Sequence, residues 1–173
     1  MILLYADPAE VKWVDYEPKL YIGFRANRLE YLPYYFEKVG VDKVILFGTY
    51  GRLDSNLRDY NELIIPGMWS DGTDWLYIND NGNYGITSDR SIKHKWERDA
   101  LFSQGFYIVD QESFHVAKLC KELDVEFISV RYMIDRCDRK AMPIGINHFW
   151  RMYQHKRMQL KFNKWLEEQC TTK

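Results

Sequence analysis

Two predicted strands in the second half of the chain end in carboxylates, and this arrangement constrains the fold more than any other feature. The strand predicted at 105–109 is followed by Asp110 and Glu112, at the start of a predicted helix. A second strand, at 126–133, is followed by Asp135. Acidic side chains just beyond the carboxyl ends of neighbouring strands lie where open α/β sheets form their ligand crevice. The pattern therefore predicts a sheet with an acidic site at one edge.

The rest of the chain predicts strands that alternate with helices. Apolar or β-branched runs predict further strands at 1–5, 20–24, 41–47, 62–66, 74–78 and 84–87. Helical spacing or composition predicts helices at 29–39, 91–103, 111–123 and 147–169. Alternation of this kind favours an α/β fold. The short strands in the middle of the chain indicate a mixed rather than a purely parallel sheet.

Two glycine-containing segments are interpreted as turns. The segment 48–51 follows the strand at 41–47, where a glycine-flanked turn would let a ligand approach the backbone closely. Asn81-Gly82 is a hairpin signal between the strands at 74–78 and 84–87. The segment 53–61 is polar and is expected to form a loop.

Length and charge exclude several classes of protein. With 173 residues, the chain is expected to form one domain, 1–173, with a core of its own. A net charge of −1 gives no reason to expect nucleic-acid or membrane binding, and no apolar run approaches the roughly 20 residues of a membrane span. Three cysteines without metal-like spacing indicate reduced thiols in a cytoplasmic protein. The four histidines show no ligand pattern, so no metal and no cofactor are predicted.

Four short segments together match the motifs of one enzyme superfamily. They read Ala6-Asp7-Pro8-Ala9-Glu10-Val11, Gly48-Thr49-Tyr50-Gly51-Arg52-Leu53, Val109-Asp110-Gln111-Glu112-Ser113 and Arg131-Tyr132-Met133-Ile134-Asp135-Arg136-Cys137-Asp138. These segments are similar, in this order, to A-M-E-E-E-V, G-[ST]-A-G-G-L, V-[DE]-M-E-[SGA] and R-x-x-S-D-x-A-D. The chain thus resembles the purine nucleoside phosphorylase and nucleosidase superfamily, and most closely its methylthioadenosine/S-adenosylhomocysteine nucleosidase branch. The resemblance implies a single-domain three-layer α/β sandwich with a mixed central sheet.

The resemblance also implies a general acid and a group that activates water. Asp135 matches the acid of the fourth motif, where a protonated carboxyl would donate its proton to the departing base. Glu10 matches the last acid of the first motif and is expected to act as general base, with Arg131 orienting the carboxylate or the water. Thr49, beside Gly48 in the glycine-rich motif, is expected to contact the water or the sugar. Because a carboxylate at position 10 would repel phosphate, hydrolysis is favoured over phosphorolysis.

Other residues are expected to contact the sugar and the base. By resemblance, Glu112 accepts hydrogen bonds from the ribose 2′ and 3′ hydroxyls. Gln111 stands where the motif has Met and would make a more polar contact with the sugar. Phe106 and Tyr107 lie shortly before these two residues in the chain and are candidates for stacking on the base.

The sequence leaves other functions open. The chain could cleave a nucleoside 5′-monophosphate if Arg25 and Arg28 face the site, or it could be a phosphate-dependent phosphorylase. It could also bind nucleosides without catalysis, since several motif positions are altered. The favoured prediction is hydrolysis of a purine nucleoside, with a 5′-substituted adenine nucleoside as substrate. The expected partners are a small-molecule nucleoside or nucleotide and, by resemblance, a second copy of the chain in a homodimer.

Overall fold

The computed structural model describes residues 1–54, 62–135, 137 and 144–171, without the side chains of Asp135, 144–148 and Thr171. The predicted loop at 53–61 and the motif residue Asp138 thus lie partly or wholly outside the described residues. The described strands are β1 (Ile2–Tyr5), β2 (Lys19–Tyr21), β3 (Lys43–Arg52), β4 (Leu63–Ile64), β5 (Met68–Ser70), β6 (Trp75–Tyr77), β7 (Tyr84–Thr87), β8 (Ile108–Asp110) and β9 (Glu126–Asp135). The described helices are α1 (Leu32–Val39), α2 (Lys95–Ser103), α3 (Ser113–Glu122) and α4 (Ile144–Thr171).

The strands form one mixed sheet around β3. Strands β1 and β9 pair with β3 in parallel, and β2 extends the sheet beyond β1. At its carboxyl end β3 pairs with β8 in antiparallel orientation, and β7, β5 and β6 continue from there. The predicted α/β fold with a mixed sheet is therefore confirmed.

Helices cover both faces of this sheet, because successive side chains of a strand point to opposite sides. Val44 and Leu46 of β3 pack in one buried cluster with Phe36 of α1 and with apolar side chains of α3. Ile45 and Phe47 pack in a second cluster with apolar side chains of α4, namely Met158, Phe162 and Leu166. The result is three layers, with α1 and α3 on one face and α4 on the other.

The two turn interpretations are wrong. The segment 48–51 is not a turn but part of the long strand β3, which pairs with β9 as far as Asp135. Asn81-Gly82 does not close a hairpin, because β6 and β7 both pair with β5 rather than with each other. The hairpin joins β5 and β6, and its turn is stabilised by the Asp71 carboxylate, which accepts hydrogen bonds from the amides of Thr73 and Asp74.

The helices follow their predicted positions closely. Helix α1 ends at Gly40, whose φ of 67° allows the left-handed conformation that closes many helices. In the part of the chain that the structure describes, no helix combines the length and the apolar character that crossing a membrane requires.

Candidate active site

A cavity of about 180 Å³ lies at the carboxyl ends of strands that run in opposite directions. Strands β1, β3 and β9 run one way, and β7 and β8 run the opposite way, so that the carboxyl ends of both sets meet at this point. Side chains or backbone from the segments after β1, β2 and β7 and from the ends of β3, β8 and β9 line the cavity. Carboxyl ends of strands that meet in this way are the usual place for a ligand in open α/β sheets.

An arginine lies buried beneath the cavity at the centre of a polar network. Arg131 of β9 is 0% exposed, and its Nη2 lies 2.7 Å from Oδ2 of Asp110. The same guanidinium donates to Oγ of Ser113 at 2.7 Å and, through Nε, to Oγ of Ser129 at 3.0 Å. Because a buried charge is costly unless it is paired and hydrogen-bonded, this network fixes the guanidinium in one position.

Asp110 connects that network to the start of α3. Its Oδ2 accepts a hydrogen bond from the amide of Ser113 at 3.1 Å, and its Oδ1 accepts one from Oγ1 of Thr87 at 2.8 Å. Oγ1 of Thr87 in turn accepts the amide hydrogen of Phe114 at 2.8 Å. Asp110 therefore satisfies amide groups at the helix start and also balances the charge of Arg131.

Glu10 lies on the other side of the guanidinium, on a 3₁₀ turn that follows β1. This turn, Pro8–Glu10, is capped by the Asp7 carboxylate. The Glu10 carboxylate accepts hydrogen bonds from the Thr49 amide at 2.7 Å and from Oγ1 of Thr49 at 2.8 Å. Burial raises the pKa of Glu10 above its ordinary value, while the positive charge of Arg131 and the bonds from Thr49 oppose that shift.

Gly48 provides the space in which these groups approach each other. A Cβ at this position would lie 2.5 Å from Nη1 of Arg131 and 3.0 Å from both carboxylate oxygens of Glu10. The glycine is therefore needed for close packing within a strand rather than for a turn.

Glu112 is a third buried carboxylate at the cavity, after Glu10 and Asp110, and lies just before α3 begins. It accepts a hydrogen bond from the amide of Arg25 at 3.1 Å. Burial, and after it the negative charge of Asp110, raise the pKa of Glu112 to about 7, against the opposing charge of Arg131. A carboxyl with such a pKa exists in both protonation states near neutral pH.

Gln111 also lines the cavity. Its Nε2 is buried and has no hydrogen-bond partner among the described residues. A buried donor without a partner is costly, so a turn of the side chain that lets Nε2 donate to a ligand acceptor would be favoured.

The structure brings several predicted residues together: Glu10, Thr49, Gln111 and Glu112 line the cavity, and Arg131 and Gly48 lie directly behind them. The backbone of Asp135 ends β9 beside Gly51, a residue of the cavity lining. The Asp135 side chain lies outside the described residues, so its predicted role stays a prediction.

Phe106 and Tyr107 are not brought to the cavity lining. Phe106 is buried and stacks on Trp75 with ring centroids 5.0 Å apart. Tyr107 packs edge-on against Phe102 and Tyr84. Only the end of β8 reaches the cavity, and a strand advances roughly 3.3 Å per residue, so these two rings lie too early in the chain.

Several residues of the site were not identified from the sequence. Phe24 lines the cavity from the turn after β2, where Arg25 has a φ of 55°. The segment 90–92 lines it from the loop after β7, and the buried hydroxyls of Ser113 and Ser129 hold Arg131. The expectation that ligands bind beyond the carboxyl ends of strands would have identified 90–92 if β7 had been placed beside β8. Within the described ranges there is no group of three or more His, Cys, Asp or Glu residues arranged to hold a metal.

Comparison with solved structures finds the same architecture over nearly the whole chain. Methylthioadenosine/S-adenosylhomocysteine nucleosidase from Helicobacter pylori, solved with butyl-thio-DADMe-Immucillin-A, has a TM-score of 0.75 and 17% identity over 97% of each chain. Futalosine hydrolase of Helicobacter pylori has a TM-score of 0.76 and 16% identity, again over 97% of each chain. The Neisseria meningitidis nucleosidase in complex with methylthio-immucillin-A has a TM-score of 0.70 and 13% identity, over 94% of this chain and 98% of its own. The chain has the nucleosidase fold.

At such low identity the likeness establishes the fold, and the predicted nucleoside phosphorylase-like architecture is thus confirmed. No protein-family profile and no curated protein matches the sequence.

Proposed function

We propose that this protein hydrolyses the N-glycosidic bond of a purine nucleoside and releases the free base and the free sugar. The observation that carries the proposal is a pair of buried carboxylates, Glu10 and Glu112, that line one cavity with the Arg131 guanidinium behind them. Cleavage of this bond develops positive charge on the sugar, which nearby carboxylates stabilise. Nucleosidases among the proteins with the same fold support this choice. A 5′-substituted adenine nucleoside is the expected substrate.

Glu10 is the proposed general base for the attacking water. Its raised pKa makes it a stronger base than an exposed glutamate, and the two bonds from Thr49 fix the carboxylate in place. The negative charge of Glu10 also disfavours phosphate as the nucleophile. At an effective dielectric constant of ~20, two like unit charges about 4 Å apart cost roughly 4 kcal/mol.

Glu112 and Gln111 are the proposed sugar contacts. The Glu112 carboxylate would accept hydrogen bonds from the sugar hydroxyls, and the Gln111 side chain, whose Nε2 has no partner among the described residues, would turn to donate one to a sugar oxygen. An acceptor and a donor on consecutive residues suit a group such as a vicinal diol, since each hydroxyl can both donate and accept.

Asp135 remains the proposed general acid that protonates the departing base. We expect Asp135→Asn to lower base release by about 10²–10⁴, because an amide cannot transfer the proton. Binding of the nucleoside, measured by calorimetry, should change little. Near-full turnover by this variant would contradict the assignment.

The substrate class is tested by a panel of methylthioadenosine, adenosine, inosine and AMP. Release of free base from a nucleoside supports the proposal, and preference for AMP would indicate a nucleotide N-glycosidase. In the described part of the chain, Arg25 and Arg28 are not among the residues that line the cavity, and the Arg28 guanidinium lies 4.9 Å from the ring centre of Tyr21. Tight binding without release of base from any compound would make the protein a nucleoside-binding protein.

We also expect a homodimer, as the resemblance implies. Sedimentation at micromolar concentration is the measurement. A single species of 20.9 kDa would contradict this expectation.

A further inference from the structure

The proposed base, Glu10, lies on a segment that has little regular structure of its own. The only helical element there is the three-residue 3₁₀ turn, and the chain then runs irregularly as far as β2. So short a turn is not stable by itself, since helix formation is costly before several turns are in place. The position of Glu10 must therefore be set by contacts with other parts of the molecule.

Thr49 holds the Glu10 carboxylate, and contacts with the backbone around Glu10 come from α4, about 150 residues later in the chain. Gln159 of α4 is completely buried. Its Oε1 accepts the amide hydrogen of Trp13 at 2.6 Å, and its Nε2 donates to the carbonyl of Ala9 at 2.7 Å. One side-chain amide therefore bonds to the backbone on both sides of Glu10.

The same amide is also connected to the strand that carries Arg131. The Gln159 amide lies close to the Tyr132 hydroxyl and opposes the rise that burial causes in the pKa of this hydroxyl, which makes a hydrogen bond of 2.6 Å with Nδ1 of His155. Gln159 thus links the backbone of Glu10 to β9, next to the guanidinium that Glu10 faces.

We propose that Gln159 is the positioning residue for Glu10, so that α4 sets the geometry of the base relative to Arg131 and the attacking water. The expected effect on catalysis rests on the proposed function. A displacement of about 1 Å at a reacting group can cost 10²-fold in rate, so the loss of this support should be measurable.

Asn163 provides a matched control on the same helix. Its Oδ1 accepts the amide hydrogen of Asp15 and its Nδ2 donates to the carbonyl of Trp13, both at 3.0 Å. Asn163 therefore makes as many hydrogen bonds to the backbone as Gln159 does, but its partners lie further along the chain from Glu10.

The test compares Gln159→Met, which keeps the length of the side chain without its hydrogen bonds, with Asn163→Ala. We expect Gln159→Met to lower kcat by roughly 10–100-fold with KM within about threefold. We expect Asn163→Ala to leave kcat within about threefold. Should Gln159→Met fail to fold, Gln159→Asn is the second variant, because it keeps an amide that is one methylene too short to span both bonds.

A second readout does not depend on activity. The Thr49 amide donates to the Glu10 carboxylate, so its hydrogen exchange reports on whether Glu10 is in place. In Gln159→Met the Thr49 amide should exchange at least tenfold faster than in the wild type, and in Asn163→Ala it should not. Unchanged exchange at Thr49 in folded Gln159→Met would overturn the inference, whereas a wild type without hydrolase activity would overturn only the proposed function.

Discussion

At the scale of single residues, Gln111 distinguishes this chain from the motif that it resembles. Its Nε2 is buried and has no hydrogen-bond partner among the described residues, while other atoms of the residue line the cavity. We expect Gln111→Met to raise KM about 2–10-fold, because the loss of one hydrogen bond to the substrate weakens binding by about this factor. The free energy of unfolding should not fall, because the substitution removes an unsatisfied group from the unliganded protein. Steady-state kinetics and urea unfolding measure the two effects.

A matched substitution checks the interpretation of Gln111. Glu112→Gln removes a buried carboxylate next to it, and we expect a loss in kcat as well as in affinity, since the charge is needed while the sugar becomes cationic. If Gln111→Met instead destabilises the fold and leaves KM unchanged, the amide has a structural role.

The sequence indicates which residues are important more reliably than it indicates the structural role that each one has. Gly48 was correctly singled out, but for a turn, whereas its function is to leave room for Arg131 and Glu10. The sequence does not distinguish the two cases, because both require the absence of a Cβ. The pairing of Asp110 with Arg131 could not be predicted either, since it depends on how β8 and β9 are placed in space.

At the scale of secondary structure, Asp110 joins the start of α3 to β9. We expect Asp110→Asn to lower the free energy of unfolding by about 3–5 kcal/mol, because the buried Arg131 guanidinium would lose the carboxylate with which it forms its ion pair. Urea unfolding at neutral pH is the measurement. The control is Glu126→Gln, which breaks the Lys43–Glu126 pair, whose glutamate is 58% exposed, and should cost less than about 1 kcal/mol. Equal losses in the two variants would contradict the assigned importance of the buried pair.

Elements with a clear periodicity were predicted well, and short strands were not. The helical pattern at 111–123 predicted α3, and its side chains Val116, Leu119 and Cys120 pack in the core cluster. Strand β5 has only three residues and was missed, and without it the hairpin signal at Asn81-Gly82 joined the wrong strands. In such short strands the pairing depends on tertiary contacts more than on local sequence.

At the scale of the whole molecule, the buried carboxyl of Glu112 should make stability depend on pH. Its pKa in the folded protein, about 7, lies above the ordinary value of 4.5. The folded state therefore binds the proton more tightly than the unfolded state does. This contribution to stability is complete below pH 4.5 and is lost as the pH rises through 7.

The expected size follows from the shift. A difference of about 2.5 pKa units corresponds to roughly 3 kcal/mol between the two limits. We expect Glu112→Gln, which resembles the protonated form, to gain stability relative to the wild type between pH 5 and 8. Thermal unfolding of both proteins across that range is the measurement. Parallel stability curves would show that Glu112 does not titrate in this way.

The most direct test of the proposed mechanism is the dependence of base release on phosphate. With the preferred nucleoside of the panel, the wild type should release base in phosphate-free buffer and yield free sugar. Under the same conditions Glu10→Gln should be slower by about 10²–10⁴, with the affinity for the nucleoside largely unchanged. Strict dependence on added phosphate, with sugar 1-phosphate as the product, would contradict the proposal that Glu10 activates water.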